Sequence, residues 1–311
     1  MNEEQLYTST SNKLLNHLDR LQLIRKDGIW SPISLQIAPT ELCNLDCEFC
    51  SVKNRGVQTL IWEQLEEAIN TFVRLGIKSI EITGGGDPTL YHHINSLIDH
   101  CYKHKLEIGL ITNGVALDKI EQQNLDKLTW LRISLNGLDY DKIIQVPKIP
   151  GTLGFSYVWN SKSTLEILNK IYMLSKEHNV EYVRIVPDCL KPKEQIQLKN
   201  QILGLIKYSK YQDTIFVQSK DYKVYPNCWI GALKPFLYAD GYVYQCSATA
   251  LYERKFGERW RICHIDKIKE YYSNPIKPFP NTMCKKGKCF YYDHNKLLDE
   301  LQMQVKHNGF I

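Results

Sequence analysis

No stretch of this 311-residue chain approaches 18 consecutive apolar residues, so no membrane-spanning helix is expected. No signal-peptide pattern opens it, which argues against structural disulfides and for a reducing, cytoplasmic setting. The net charge is only +5, too mild to demand nucleic acid. There is no repeat of fixed period and no long linker. Only 32 residues precede the first strand-like run, too few for an additional recognition domain. What the chain does have is a 43% hydrophobic composition, enough for one large core with a smaller appendage, and 10 cysteines.

Three of those cysteines, Cys43, Cys47 and Cys50, are spaced C-x3-C-x2-C directly after the apolar run 33–38. Three thiolates on one loop can hold three irons of a 4Fe–4S cube, whereas full ligation takes four. No fourth cysteine lies nearby, so one iron is left for a ligand that is not protein. Zinc is the competing occupant, but structural zinc takes four ligands and the triplet does not complete them.

Strands are predicted at 33–38, 79–83, 107–112, 130–135, 153–159 and 182–187. Helical patterns fall between them at 62–75, 92–104, 117–128, 140–145 and 163–177, and a helix at 193–208 precedes a short strand near 215–218. This alternation argues for βαβ units around a parallel sheet, in number an open, partial barrel. An amphipathic helix at 14–23 is expected to lie across it.

In parallel α/β folds, ligands sit at the carboxyl ends of the strands. The unusual residues of this chain cluster there: Gly84, Gly85, Gly86 and Asp87 after the second strand, Asn113 after the third, Ser134 and Asn136 after the fourth, Asn160 after the fifth and Arg184 in the sixth. Glycines let backbone come close to a ligand. The bland alternative is a glycine-rich turn with Asp87 capping the next helix.

The triplet, with Phe49 just before its last cysteine, resembles the radical S-adenosylmethionine (radical SAM) superfamily. The glycine run resembles that family's GGE motif, with Asp87 in place of glutamate, and the run 132–137 is similar to its ISLDG segment. The resemblance spans residues 33–218 and implies an α/β fold, a partial (β/α)6 TIM-like barrel. It further implies a SAM-binding 4Fe–4S cluster on Cys43, Cys47 and Cys50, with SAM contacts from Phe49, Gly84, Gly85, Gly86, Asp87, Asn113, Ser134, Asn136, Asn160 and Arg184. The expected activity is reductive cleavage of SAM to a 5′-deoxyadenosyl radical that takes a hydrogen atom from substrate. A reductant such as flavodoxin or ferredoxin is implied.

From residue 219 the chain becomes cysteine- and aromatic-rich and reads as a separate, small, metal-stapled module. Cys228 and Cys246, spaced C-x12-G-x4-C, resemble the start of SPASM and twitch auxiliary-cluster domains. With Cys284 and Cys289 they suffice for a second, auxiliary 4Fe–4S cluster, with zinc the alternative. Cys263 is either a substitute ligand or an ordinary strand residue. Cys101 and Cys189 read as buried small apolar residues. The basic and aromatic run 252–261 fits a solvated strand face better than a nucleic-acid contact.

The substrate expected is a small molecule or nucleotide-like compound undergoing net oxidation or dehydrogenation. Peptide or nucleic-acid modification, SAM-regenerating isomerisation and a non-catalytic metal-binding protein are the alternatives.

Overall fold

In the computed structural model, seven strands succeed one another in parallel: β1 (Ser34–Ile37), β2 (Ser79–Ile82), β3 (Glu107–Thr112), β4 (Trp130–Ser134), β5 (Thr152–Trp159), β6 (Tyr182–Pro187) and β7 (Ile215–Val217). The structure describes residues 6–191, 193–218, 223–280, 284, 289–303 and 306. Side chains alternate across each strand. Leu35, Ile80, Ile108, Leu131, Phe155 and Val183 lie in the main core with the helices, all at most 1% exposed. Their neighbours Gln36, Glu81, Arg132, Ser156 and Arg184 therefore face the other side, the barrel interior, which is polar.

The helices cover the outer face. Helix Trp62–Arg74 buries Leu65, Ala68, Ile69 and Phe72, the i, i+3, i+4, i+7 stripe of an amphipathic helix. Helix Ile94–Lys103 does the same with Ile94, Leu97, Ile98 and Cys101. Helix Leu165–Glu177 starts at Thr164, whose side-chain oxygen accepts from Ile167 N at 3.2 Å. The fold is a partial, TIM-like α/β barrel.

The remaining strands are β8 (Asn227–Cys228), β9 (Phe236–Leu237), β10 (Tyr242–Tyr244), β11 (Arg261–His264) and β12 (Phe279–Pro280). β9 pairs in parallel with β1, and β10 and β11 follow antiparallel, giving the sheet order β11-β10-β9-β1-β2-β3-β4-β5-β6-β7 among the described residues. The C-terminal segment is thus joined to the barrel sheet, not set apart from it as its composition suggested. An exposed β1 would leave a row of unpaired backbone groups, and β9 covers that edge. The compositional break at 219 falls on residues 219–222, outside the described residues.

Three other expectations change. The first helical segment is a 3-10 helix, Ser11–His17, followed by helix Leu18–Asp27, which Gly28 ends at φ 63°. It lies across the amino-terminal end of the barrel, where Lys13, Leu14 and His17 line the cavity, and it packs on the C-terminal segment as well: Leu14, Leu21, Ile24 and Trp30 share a core with Trp229, Leu233 and Leu298, and Trp30 stacks on Trp229 at 4.6 Å. The region 117–128 holds only the short helices Leu117–Lys119 and Gln122–Leu125. The helix expected at 140–145 is absent, and a 3-10 helix at Leu135–Tyr140 precedes it, where Asn136 ties the turn to β5 and Asp141 takes a left-handed φ of 53°. No described helix is long and apolar enough to cross a membrane.

Candidate active site

The cysteine loop leaves β1 and is closed at its neck by pairing of the segments 39–41 and 58–60. Thr40 bridges Thr59, Glu41 N donates to Gln58 O at 2.8 Å, and Gln58 N donates to the Glu41 carboxylate at 2.9 Å. Inside it, Cys50 N donates to Cys47 O, turning the chain so that the thiols share one side. Arg55 crosses the loop, donating to Leu45 O at 2.8 Å with its other nitrogen 3.8 Å from Cys50 Sγ. Burial raises the Cys43 thiol, and burial followed by the neighbouring Cys50 and Cys43 pushes Cys47 up to about 12. Phe49 is half-buried in the turn before Cys50.

The glycine run lies directly against this loop. Gly86 N donates to Thr40 O at 2.8 Å and Asp87 N to Leu42 O at 2.7 Å. A β-carbon on Gly86 would collide with the Leu42 carbonyl, and one on Gly84 with the Gly86 carbonyl. One on Gly85 would fall on the Tyr238 ring, 2.9 Å from its hydroxyl oxygen. The glycines are required by packing within the protein, whatever ligand their backbone also meets. Tyr238, just past β9, donates to the Glu41 carboxylate at 2.7 Å. The C-terminal segment thereby reaches the neck of the cysteine loop, and Arg254 adds a 2.6 Å bond to Glu48 O.

Asp87 is 3% exposed, and both its carboxylate oxygens are engaged. They accept from Thr89 N (3.0 Å), Thr89 Oγ1 (2.6 Å), Thr112 Oγ1 (2.9 Å) and Asn113 N (2.6 Å). The side chain caps the short helix Pro88–Leu90 and fastens the end of β3. Asn113, so held, donates to Asn44 Oδ1 at 2.6 Å and stands 3.9 Å from Cys43 Sγ, within the cysteine loop's reach.

The other strand ends divide. Asn136 accepts from Val158 N (2.8 Å) and donates to Val158 O (3.0 Å) and Asp139. Asn160 donates to the same Asp139 and to Val158 O, while Tyr157 donates to Asp139 Oδ1 at 2.6 Å. These groups form a clamp between the ends of β4 and β5. Ser134 is half-buried on the interior side of β4 beside it. Arg184 lines a cavity of about 1,070 Å³ in the amino-terminal half of the barrel together with Glu81, Glu107, Trp130, Arg132 and Tyr182, and donates to Gln218 at 2.9 Å.

The second cysteine group lies beside that cavity. Cys228, Cys246 and Cys289 pack in one cluster with Tyr291, Cys284 is near enough for its charge to act on Cys228 and Cys246, and burial, followed in part by these neighbours, raises Cys228, Cys246 and Cys284. Gln245 Nε2 is 3.4 Å from Cys228 Sγ, Tyr291 N donates to Cys289 Sγ at 3.4 Å, and Asn295 reaches Cys228 and Cys289 at 3.7 and 3.9 Å. N–H groups aimed at sulfur suit thiolates that carry cluster charge. Tyr291 lines the cavity and is coupled to Cys246 and Cys289 on one side and to Lys234 and Glu81 on the other, so it forms the wall between them. Cys263, on β11, packs against the main core with Glu270 as its charged neighbour. Cys101 is fully buried; Cys189, just after β6, is only half-buried. Trp260 and the Tyr252 and Phe256 rings join a core under Tyr238, so the 252–261 aromatics are used in packing, not left as base-stacking faces.

Every cysteine is a free thiol. Among the described residues, no three His, Cys, Asp or Glu side chains converge on a point that would hold a single ion. Thiolates around one zinc would stand about 3.8 Å apart, given a Zn–S bond near 2.3 Å and tetrahedral geometry. A cube carries its irons at separate corners and takes more widely spaced sulfurs. Glu41, Asn44, Arg55 and Thr112 stand close in sequence to predicted site residues but carry no pattern that marks them, and Tyr238 is remote from all of them.

The profile of the Radical SAM superfamily matches residues 37–185. The "Probable GTP 3',8-cyclase" of Pyrococcus abyssi is 32% identical over 123 residues, covering 37% of this chain and 39% of that protein. The "GTP 3',8-cyclase" of Aquifex aeolicus is 30% identical over 122 residues, covering 35% and 38%. The match therefore spans about two fifths of these relatives' length. Streptococcus suis SuiB bound to the precursor peptide SuiA superposes with a TM-score of 0.57 at 15% identity, covering 86% of this chain and 71% of that one. The enzyme anSMEcpe with bound AdoMet and a peptide gives 0.54 at 17% identity, covering 85% and 88%. At such identities the likeness is one of fold, and it extends past the barrel into the cysteine-rich segment. Residues 37–185 are a radical SAM domain, and the members of that superfamily use a 4Fe–4S cluster and SAM.

Proposed function

We propose that this enzyme cleaves SAM reductively and abstracts a hydrogen atom from a small-molecule or nucleotide-like substrate held in the barrel cavity, in a net oxidation. The observation that carries this reading is that one barrel carries two separate free-cysteine groups and a polar cavity. Cys43, Cys47 and Cys50 sit at the carboxyl end of β1, and Cys228, Cys246, Cys284 and Cys289 border the amino-terminal half behind Tyr291. When bound, a cluster on the first group supplies the electron that releases the 5′-deoxyadenosyl radical from SAM, and one on the second can take an electron from the substrate.

The chain's own residues build the surroundings. The glycine run Gly84–Gly86 presents backbone next to the cysteine loop. Asp87 orients Asn113 toward Cys43, and Ser134 faces the interior. The β4–β5 clamp on Asp139 keeps the barrel mouth rigid, and rigid placement of one C–H bond is what radical chemistry requires of the protein. A reductant such as flavodoxin or ferredoxin in the cytoplasm would serve it. The names of the sequence relatives make GTP the first substrate to try, and the peptide in the SuiB structure makes peptide modification the second reading.

The test is anaerobic turnover with dithionite and SAM, followed by chromatography of 5′-deoxyadenosine. Slow release is expected without substrate and faster release with it. The variant with Cys43, Cys47 and Cys50 all changed to Ala should retain about four irons of about eight and release none. Full iron content with intact SAM cleavage in that variant would overturn the assignment. Deuterium passing from substrate into recovered SAM would replace net oxidation by isomerisation.

A further inference from the structure

The amino-terminal half of the barrel cavity is crowded with cations. Lys13, Lys78, Arg132, Arg184 and Lys234 line it, against the acids Asp19, Glu81 and Glu107. Among the described residues the carboxylates that line it are fewer than the cations. Glu81 is committed to Lys234 at 3.1 Å and accepts from Gln36 at 2.5 Å. Asp19 and Glu107 are exposed, and Asp19 meets Arg20 at 3.7 Å.

Among the described residues Arg132 has no carboxylate within ion-pair distance; Glu81, whose charge it feels, is held by Lys234. Arg132 is 9% exposed, on the interior face of β4. It donates to neutral oxygens, from Nε to the Tyr182 hydroxyl at 2.9 Å and from Nη2 to the Tyr7 carbonyl at 3.0 Å. The guanidinium lies 5.2 Å from the Trp130 ring centre and 5.7 Å from that of Tyr182, which fixes its plane. A guanidinium has five N–H groups in a fixed fork, so donors remain that can meet an anion two at a time. Opposite it, Lys13 reaches in from the N-terminal segment and donates to Leu6 O at 3.1 Å. Partial burial and then the charges of Lys234 and Arg132 lower the Lys13 ammonium, the signature of cations brought together without enough counter-charge. Buried charge that is not compensated costs stability, and a bound anion would relieve it.

We propose that this end of the cavity is an anion-binding subsite, in which Arg132 with Lys13 and Arg184 beside it holds a phosphate or carboxylate group of the substrate. Ser134 lies on the same face of β4, two residues or about 6.6 Å nearer the cysteine-loop end. A substrate anchored by its anionic end on Arg132 would extend up the barrel and present its remaining carbons there. The subsite therefore selects for a small molecule with a charged tail. Assigning the anion to the substrate rests on the proposed function; anion binding itself does not.

The test is isothermal titration of the anaerobically reconstituted full chain with sodium pyrophosphate, with succinate and with neutral ribose, in the absence of SAM and reductant. Heat of binding is expected for pyrophosphate or succinate and not for ribose, weakening as salt is raised. Tighter pyrophosphate identifies a phosphorylated substrate and tighter succinate a carboxylic acid. Arg132→Gln should weaken binding at least about tenfold, the loss of a hydrogen bond to a charged group. Because Arg132 also holds Tyr7 and Tyr182, Lys13→Ala at the exposed rim is the second variant, expected to weaken binding several-fold with unchanged circular dichroism. Lys269→Ala, remote from the cavity, should leave it unchanged. Absence of binding at millimolar anion, or equal affinity in wild type and both variants, would overturn the subsite. Anion binding that persists in a protein unable to cleave SAM would sink the catalytic reading and leave the subsite standing.

Discussion

Gly85 offers a sharp test of how the two halves of the chain are locked together. Its backbone is not left-handed, so alanine is conformationally allowed there. Taken alone, a Gly→Ala change at such a position stabilises by about 0.4–1 kcal/mol through the unfolded chain. Here the new β-carbon would fall on Tyr238, a ring 3% exposed, 4.3 Å from the Phe256 ring and anchored through its hydroxyl to Glu41. Overpacking of this kind costs about 1–3 kcal/mol, and losing a hydrogen bond to a carboxylate costs about 1.5–3 more if the ring is driven off Glu41. Gly85→Ala should therefore destabilise by about 3 kcal/mol and, by freeing the Glu41 side chain from its partner, loosen the neck of the cysteine loop. Tyr238→Ala alone should cost about 3–5 kcal/mol for the lost ring. In that background the collision is gone, and Gly85→Ala should become neutral or slightly stabilising. Urea unfolding of the four proteins, followed by tryptophan fluorescence, gives the coupling directly, expected at about 2 kcal/mol or more. A cost that is the same in both backgrounds would refute the packing argument.

Cys284→Ala should remove iron from the C-terminal group and loosen that segment, since metal binding and local folding are coupled, while Cys263→Ala keeps the iron; the opposite pattern in iron assays would reverse the ligand assignment. Asp87→Ala leaves the buried donors of Thr89, Thr112 and Asn113 without their acceptor and should cost about 3 kcal/mol in urea unfolding; a loss below about 0.5 would show that water replaces the carboxylate. Burial works to raise the Glu81 carboxyl, but the Lys234 and Arg132 charges outweigh it and hold it below the usual range. A depressed carboxyl contributes stability that is present above its unfolded value of about 4.3 and is lost as pH falls through the lower folded value. Glu81→Gln should cost about 3 kcal/mol at pH 7, and its stability should fall less steeply than wild type from pH 5 to 3; parallel pH profiles would remove Glu81 from the balance.

The sequence by itself determined the parts that are written in short spacing and periodicity. The C-x3-C-x2-C loop needs only eight consecutive residues, and the helix stripe Leu65, Ala68, Ile69 and Phe72 announces its buried face by repeat alone. From these follow a parallel α/β order and a radical SAM domain. The same local logic did not show the partners of the isolated signals. Asn136 and Asn160 look like ligand residues at strand ends, yet their amides are committed to Asp139 and to the Val158 backbone. The Gly84–Gly86 run looks like room for a ligand, while at Gly85 the space is filled by Tyr238, which comes from 153 positions further along the chain. Partners at that separation leave no periodicity to read. Tertiary structure alone decided that the C-terminal segment extends the barrel sheet through β9, because the need to cover β1 is a property of the assembled sheet and of no local stretch of residues. It also decided that Arg132, within β4, lines the polar cavity of the barrel, since the inward or outward face of a strand residue is settled only when the barrel closes around it.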